Sequence, residues 1–201
     1  TKIDNNRMKA EKVSKEKGQS LDFLKSIDFH LSTGILFFYI AVEYSINGWI
    51  VTYLKDTGLM STSLAQKSLS LLWVIIIFGR LFSAYISKSV DKKSILLMSS
   101  LGGMIFFGLF MISRQPIFII FNILGLGFCL AGIYPTGIAN AGDVLKGSSL
   151  AMGILLGISG FGAIAMSYIS GIVAEKIGIA GGMVSISVAA VLMFTLALIH
   201  K

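Results

Sequence analysis

The sequence predicts an all-α membrane protein with six transmembrane helices, and three observations carry this prediction. Hydrophobic residues make up 55% of the chain and charged residues only 13%, whereas about a quarter of the residues in a typical soluble domain are charged. Apolar runs of about 20 residues, long enough to cross a bilayer, alternate with short polar or glycine-bearing breaks. These runs lack the apolar/polar alternation of barrel strands, so the spans are expected to be helices.

The chain divides into a polar N-terminal segment and a membrane part. Residues 1–28 interleave basic and acidic side chains without the apolar core of a signal peptide, and they are predicted to be a cytoplasmic tail or linker. Residues 29–201 are predicted to form the transmembrane bundle, with spans near 30–54, 64–87, 94–113, 116–140, 149–174 and 180–200. Because the sequence begins with Thr1 and not Met, we expect part of a longer protein; a processed or trimmed whole protein is the alternative.

The distribution of basic residues predicts the orientation. If the N-terminal segment is cytoplasmic, the inside segments hold twelve basic residues and the outside segments hold four. The cluster of Lys88, Lys92 and Lys93 between the second and third spans is the strongest indication, because cytoplasmic loops are enriched in Lys and Arg. We therefore expect a cell-membrane protein with both termini in the cytoplasm, in contact with the lipid bilayer. The net charge of +7 is interpreted as a determinant of topology and not as a nucleic-acid surface.

Metal, cofactor and enzyme chemistry are not predicted. The single cysteine, Cys129, lies in an apolar stretch, and the two histidines, His30 and His200, lie at opposite ends of the membrane part. These residues do not form a cluster with metal-ligand spacing. The sequence also contains no phosphate-binding loop, and no nucleophile, base and orienting group are spaced for catalysis.

The first span carries a polar stripe. Tyr39, Glu43 and Asn47 recur every four residues, so they lie on one helical face, and Gly48 follows them. An ionised carboxylate near the middle of a membrane costs about 2.5–3.5 kcal/mol, so Glu43 is expected to face protein or a water-filled cavity. Two interpretations fit: the stripe binds a substrate, or it joins neighbouring helices through polar contacts.

The second span contains the other charge inside a predicted span, Arg80. This guanidinium either contributes to a gate or substrate site, or it extends to the membrane interface as an anchor. Trp73 lies two turns earlier on roughly the same face. It is a candidate ligand platform, and packing in the core is the alternative.

The fourth span combines Asn122, the glycine-rich run Gly125–Gly132, and Tyr134 followed by Pro135. Proline removes one helical hydrogen bond, so the pattern predicts an interrupted helix. Interrupted membrane helices expose backbone groups to ligands, which makes Tyr134 a candidate for a site or a hinge. A plain kink without ligand contact is the alternative.

These landmarks resemble the C-terminal half of a transporter of the major facilitator superfamily. The resemblance rests on the tract from Glu43 to Leu54, on Phe78-Gly79-Arg80-Leu81 before a basic loop, and on Gly125 through Pro135. It covers everything after the N-terminal segment and is strongest with the branch that includes fucose and glucose/galactose permeases. The basic signature between helices of this family maps onto Ala84 through Lys93, where Lys93 matches and Lys92 keeps the charge.

The resemblance implies a twelve-helix transporter that works by alternating access, each six-helix half consisting of two inverted three-helix repeats. It implies a gating role for Lys92 and Lys93, beside the gate or substrate role considered above for Arg80. One half does not enclose a central site, so the expected partner is the missing N-terminal six-helix half or a second copy of this chain.

The resulting hypothesis is ion-coupled transport of a small polar solute, such as a sugar. Its predicted substrate-binding residues are Tyr39, Glu43, Asn47, Trp73, Asn122 and Tyr134. Two alternatives remain at this stage: an exporter of amphipathic compounds with the same fold, and a membrane receptor or assembly subunit that does not transport.

Overall fold

The computed structural model describes residues 21–146 and 148–200, which are largely helical and contain no strand. A short 3-10 turn, Leu21–Lys25, comes first. The α-helices of these residues are α1 (Ile27–Asp56), α2 (Thr62–Ile86), α3 (Lys92–Ile112), α4 (Pro116–Ala131), α5 (Ile133–Asn140), α6 (Gly142–Leu145), α7 (Ser149–Ile177) and α8 (Ile179–Ile199).

Six segments are long and apolar enough to cross a membrane, with α4 and α5 together forming one of them. The all-α fold class with six spans is confirmed, and the chain is a multi-pass membrane protein. Each span begins and ends within three residues of the bounds expected from hydropathy, because the apolar length that defines a span is a local property of the sequence.

The start of the bundle differs from the expected boundary. Residues 1–20 of the predicted tail lie outside the described residues. Phe23 is buried, and its ring centroid lies 5.0 Å from that of Phe29 in an edge-on contact. The bundle therefore includes part of the segment assigned to the tail, because Phe23 has an apolar cluster to pack against.

Side-chain caps fix the starts of several helices. Ser26, Ser61, Asp91 and Ser148 each accept a hydrogen bond from the backbone N–H three residues later, which satisfies a donor that has no partner within the helix. At the tight turn between α7 and α8, Gly178 has a φ of +88°, a conformation that favours glycine.

The six spans form two interlaced sets of three. The first set is α1, α2 and α3, and the second set is the span of α4 and α5, followed by α7 and α8. In the first set, α1 packs on α7 and α8 of the second set. In the second set, α4 packs on α2 and α3 of the first set in the corresponding way, and the third helices, α3 and α8, pack on each other. Three spans are an odd number, so the second set starts from the opposite side of the membrane, which is the arrangement of inverted repeats.

We name each end of the bundle after a lysine that lies there. At the Lys92 end, α1, α3 and α7 begin and α2, α5 and α8 end; the opposite end, where α7 ends, is the Lys176 end. The α1 span and the span formed by α4 and α5 are the most buried of the six, and α1 has α2, α5, α7 and α8 around it.

Small residues allow close approach between particular helices. A Cβ atom on Gly162 of α7 would collide with the backbone carbonyl oxygen of Phe37 in α1. In contrast, Gly153, Gly157 and Gly160 of the same helix face open space. The packing surface on α7 is therefore confined to one side of the helix.

Serine hydroxyls link neighbouring helices as well. Ser45 Oγ lies 3.4 Å from Ser167 Oγ, which joins α1 to α7, and Ser170 Oγ lies 3.1 Å from Ser185 Oγ, which joins α7 to α8. Ser159 instead donates to Leu155 O within its own helix at 2.7 Å.

Candidate functional site

The polar stripe on α1 lies within the protein along most of its length. Tyr39 and Glu43 are buried and Asn47 is half-buried, while Tyr44 and Gly48 beside them are exposed. The Asn47 Nδ2 amide donates to the carbonyl oxygen of Glu43 at 2.7 Å. This bond fixes the orientation of the amide, which leaves Asn47 Oδ1 as its remaining polar atom.

Three successive turns of α1 present buried polar atoms without a hydrogen-bond partner among the described residues. These atoms are Tyr39 Oη, Glu43 Oε1 and Asn47 Oδ1. The Tyr39 hydroxyl and the Glu43 carboxylate are close enough to interact with each other, but without a well-formed hydrogen bond a buried polar group still costs about 1–3 kcal/mol. A row of three such atoms is unusual in a helical core, where buried polar groups are normally satisfied. The row is the main chemical feature of the described residues.

Arg80 of α2 faces this row. Its Nη2 lies 3.9 Å from Glu43 Oε1, and 47% of the Arg80 side chain is exposed compared with 6% for Glu43. This separation is longer than a hydrogen bond, so the two groups attract each other electrostatically without a direct hydrogen bond. Arg80 thus lowers the cost of a carboxylate inside a membrane-spanning bundle while remaining accessible from one side.

Tyr134 of α5 lies beside the row at Tyr39. Its ring centroid lies 6.1 Å from that of Tyr39. The expected interruption of the fourth span is present at Gly132, between α4 and α5. Gly132 keeps right-handed helical angles, φ −78° and ψ −20°, so the span has a short kink and no unwound segment, and the ring of Tyr134 is what reaches the row.

Two of the predicted substrate-binding residues do not join this group. Asn122 Nδ2 donates to Ser113 Oγ at 2.9 Å, at the corner between α3 and α4. It lies twelve residues before Tyr134 in the same span, which is about 18 Å along a helix. Trp73 is 45% exposed on α2 and lies about 10 Å from Arg80 along the helix axis. The structure therefore does not bring Asn122 together with Tyr134, and the Trp73 ring lies outside the core.

The two lysines with a predicted gating role lie at the Lys92 end. Lys92 Nζ donates to the carbonyl oxygen of Ala139 at 2.7 Å, which ties the start of α3 to the end of α5. A cation is favourable there, because the last carbonyls of a helix carry partial negative charge. Lys93 is half-buried next to Asp91. The backbone N–H and hydroxyl of Ser94 lower the pKa of Asp91, with a smaller contribution from Lys93.

Sequence reasoning missed the pairing of Glu43 with Arg80. Each charge was identified within its own span, but Arg80 was expected either in a gate or at the interface, and Glu43 was not assigned a partner in this chain. The available signal was charge complementarity between adjacent antiparallel spans, since two opposite charges inside a membrane tend to pair with one another.

Breaking the pair from one side is expected to destabilise the protein more than removing both charges. Arg80→Gln leaves the Glu43 carboxylate buried without an opposite charge, so we expect a lower thermal midpoint in detergent. Adding Glu43→Gln is expected to recover part of this loss, with a coupling of about 0.5–3 kcal/mol in a double-mutant cycle. Lys67→Gln, at an exposed position of α2, is the control. Additive effects of the two substitutions would contradict the interaction.

No protein-family model matches the chain, and no curated protein matches it.

Proposed function

We propose that this chain is one half of an alternating-access membrane transporter for a small polar solute, and that a neutral sugar is the substrate class that fits best. The observation that carries the proposal is the row of buried polar atoms on Tyr39, Glu43 and Asn47 that have no hydrogen-bond partner among the described residues. A ligand that supplies those hydrogen bonds would remove an energetic cost, and this gain would stabilise the bound state.

The chemistry of the row favours hydroxyl groups. Glu43 Oε1 and Asn47 Oδ1 accept hydrogen bonds, while the Tyr39 hydroxyl both donates and accepts. Sugar hydroxyls match this set because each is a donor and an acceptor. The Tyr39 and Tyr134 rings, with centroids 6.1 Å apart, add an apolar surface of the kind that small-molecule sites combine with a few polar groups.

The helix arrangement supports a transporter in particular. Two interlaced three-helix sets that start from opposite sides of the membrane are the architecture in which many transporters place a site between repeats. We also propose that the chain is related to the major facilitator superfamily, on the sequence landmarks from Glu43 to Pro135. In this proposal, Arg80 acts beside the site and Lys92 and Lys93 act at the Lys92 end, which faces the cytoplasm of a cell-membrane protein.

Exposed residues beside the polar stripe support the presence of a partner that covers them. Tyr44 and Gly48 are exposed on α1, and 47% of the Arg80 side chain is exposed. Polar groups in membrane spans normally face protein or a water-filled cavity. In the proposal, the N-terminal half of the transporter, or a second copy of this chain, covers these residues and encloses the substrate.

Transport assays test the proposal directly. We expect the full-length protein in liposomes to catalyse saturable exchange of at least one labelled neutral sugar. Tyr39→Phe removes a hydroxyl that makes no well-formed hydrogen bond among the described residues, so we expect it to raise KM about tenfold, equivalent to about 1.4 kcal/mol, with little change in the thermal midpoint.

Tyr168→Phe is the matched control, because Tyr168 is 70% exposed on α7. Loss of stability in Tyr39→Phe without a change in KM would assign the hydroxyl to the fold. An absence of saturable flux for every sugar in either direction would contradict the transport proposal and favour a receptor or assembly subunit, whereas flux of amphipathic compounds alone would favour an exporter.

A further inference from the structure

A crevice runs between α2 and α3 along the outside of the bundle. Both helices pack along α4, yet they make almost no contact with each other. A cavity of about 150 Å³ lies in this gap, and a second of about 260 Å³ continues from it between the end of α2 and α5, with Lys92 at the start of α3 on its rim. Ser83 lines both cavities. Their lining residues follow single helical faces, such as Gly79, Ser83 and Ser87 on α2. We call the two cavities together the α2–α3 crevice.

The polarity of the crevice changes along its length. The deeper cavity is lined mostly by apolar side chains, including Phe82, Met98 and Phe128, which are 48%, 68% and 38% exposed. The cavity at the Lys92 end is lined by Ser87, Lys92 and other small or polar residues. An apolar groove with a polar, cationic mouth is complementary to an amphipathic molecule.

The segment that joins α2 to α3 at this end carries net positive charge, and its Lys92 lines the cavity. Lys88, Lys92 and Lys93 lie within six residues of one another, together with a single acid, Asp91. Asp91 caps α3 by accepting a hydrogen bond from the Ser94 backbone N–H at 2.9 Å. Lys92 uses one of its three ammonium donors on Ala139 O, so the others remain for an anion at the mouth.

We propose that the α2–α3 crevice binds one anionic phospholipid, with the phosphate at Lys92 and Ser87 and an acyl chain along Phe82, Met98 and Phe128. The charge at the mouth selects an anionic headgroup, and the open apolar groove accepts the chain. The Lys92 end is also where several apolar spans reach their polar ends, so phosphate groups of a bilayer lie at the same level. The inference is independent of the transport proposal.

Lipid retention in native mass spectrometry of the full-length protein tests this inference. We expect phosphatidylglycerol to be retained more than phosphatidylcholine with the same acyl chains. A basic residue near an anionic membrane surface contributes about fivefold in binding. Lys92→Gln and Lys88→Gln are therefore each expected to lower phosphatidylglycerol retention about fivefold. The Lys88 side chain, unlike that of Lys92, is not tied to a neighbouring helix in the described part of the chain, so its variant separates lipid binding from the structural contact of Lys92.

The apolar groove is tested with a second substitution. Met98→Trp fills the crevice from an exposed position and is expected to reduce the retention of both lipids. Val188→Trp places the same ring on α8 at a residue of similar exposure, 62%, and is expected to have no effect. Lys67→Gln is the control for charge.

Three results would overturn the proposal. Equal retention of the two lipids would show that the cationic mouth does not select an anionic headgroup. Displacement of phosphatidylglycerol by inorganic phosphate at a similar concentration would identify a simple anion site without an acyl chain. Equal effects of Met98→Trp and Val188→Trp would exclude the crevice as the binding position.

Discussion

Glu43→Gln is expected to abolish the proton movement that accompanies substrate transport, and to leave the helix bundle folded. Glutamine keeps the size of the side chain and a carbonyl acceptor, but it carries neither a charge nor a titrating proton. The carboxylate lies 3.9 Å from Arg80, so protonation would weaken that attraction and change how the α1 stripe meets α2. In the proposed mechanism, this protonation is the step that couples the ion to the substrate.

The measurement is substrate-driven proton uptake into liposomes that contain the full-length protein, recorded with a pH-sensitive dye inside. Wild-type protein is expected to acidify or alkalinise the lumen when substrate is added, whereas Glu43→Gln is expected to give no signal and to retain substrate exchange. Glu175→Gln is the control, because Glu175 is exposed near the end of α7. An unchanged proton signal in Glu43→Gln would remove this carboxylate from the coupling step.

The spans could be predicted because each depends on a short stretch of sequence. A run of about 20 apolar residues determines a crossing whatever the rest of the chain does. The start of the bundle is a counterexample: Phe23 lies in a charged segment, and its burial against Phe29 depends on tertiary packing. Hydropathy averages over a window and does not report that single contact.

The stripe on α1 was predictable, but its partner was not. A spacing of four residues places Tyr39, Glu43 and Asn47 on one face of any helix. Which helix faces the stripe depends on how α2 is rotated about its own axis, and the periodicity of α2 does not specify this. Arg80 is nevertheless the group that reaches Glu43.

Asn122 shows where a simple calculation from the sequence would have improved the prediction. It shares a span with Tyr134, but the twelve residues between them correspond to about 18 Å of helix. One small solute does not contact both. The depth of a residue along the membrane can be read from a sequence once the spans are fixed, but the rotation of a helix about its axis cannot. The distance of Asn122 from Tyr134 is a matter of depth, and the pairing of Arg80 with Glu43 is a matter of rotation.

Gly162→Val is expected to produce the largest loss of stability among single substitutions in the membrane part. A Cβ atom at this position would overlap the carbonyl oxygen of Phe37 and would lie 3.4 Å from the backbone N of Ala41. These are backbone atoms of α1 and cannot rotate away, so α1 and α7 would have to separate. Overpacking of a core typically costs about 1–3 kcal/mol, and we expect the upper end of that range, or about 6–12 °C in the thermal midpoint of a chain of this size.

Gly157→Val is the matched control, because it introduces the same side chain on the same helix at a position with open space. Both variants carry the same cost of valine in a helix, so the difference between them reports the contact between α1 and α7 alone. Thermal unfolding followed by the fluorescence of Trp49 and Trp73 is the measurement. Separation of the helices would also lengthen the contact of Ser45 with Ser167 and shift the stripe relative to Arg80, so Gly162→Val is expected to impair transport below its melting temperature. Equal midpoints for the two variants would show that α1 and α7 do not pack backbone to backbone, and the position of the α1 stripe would then require a different explanation.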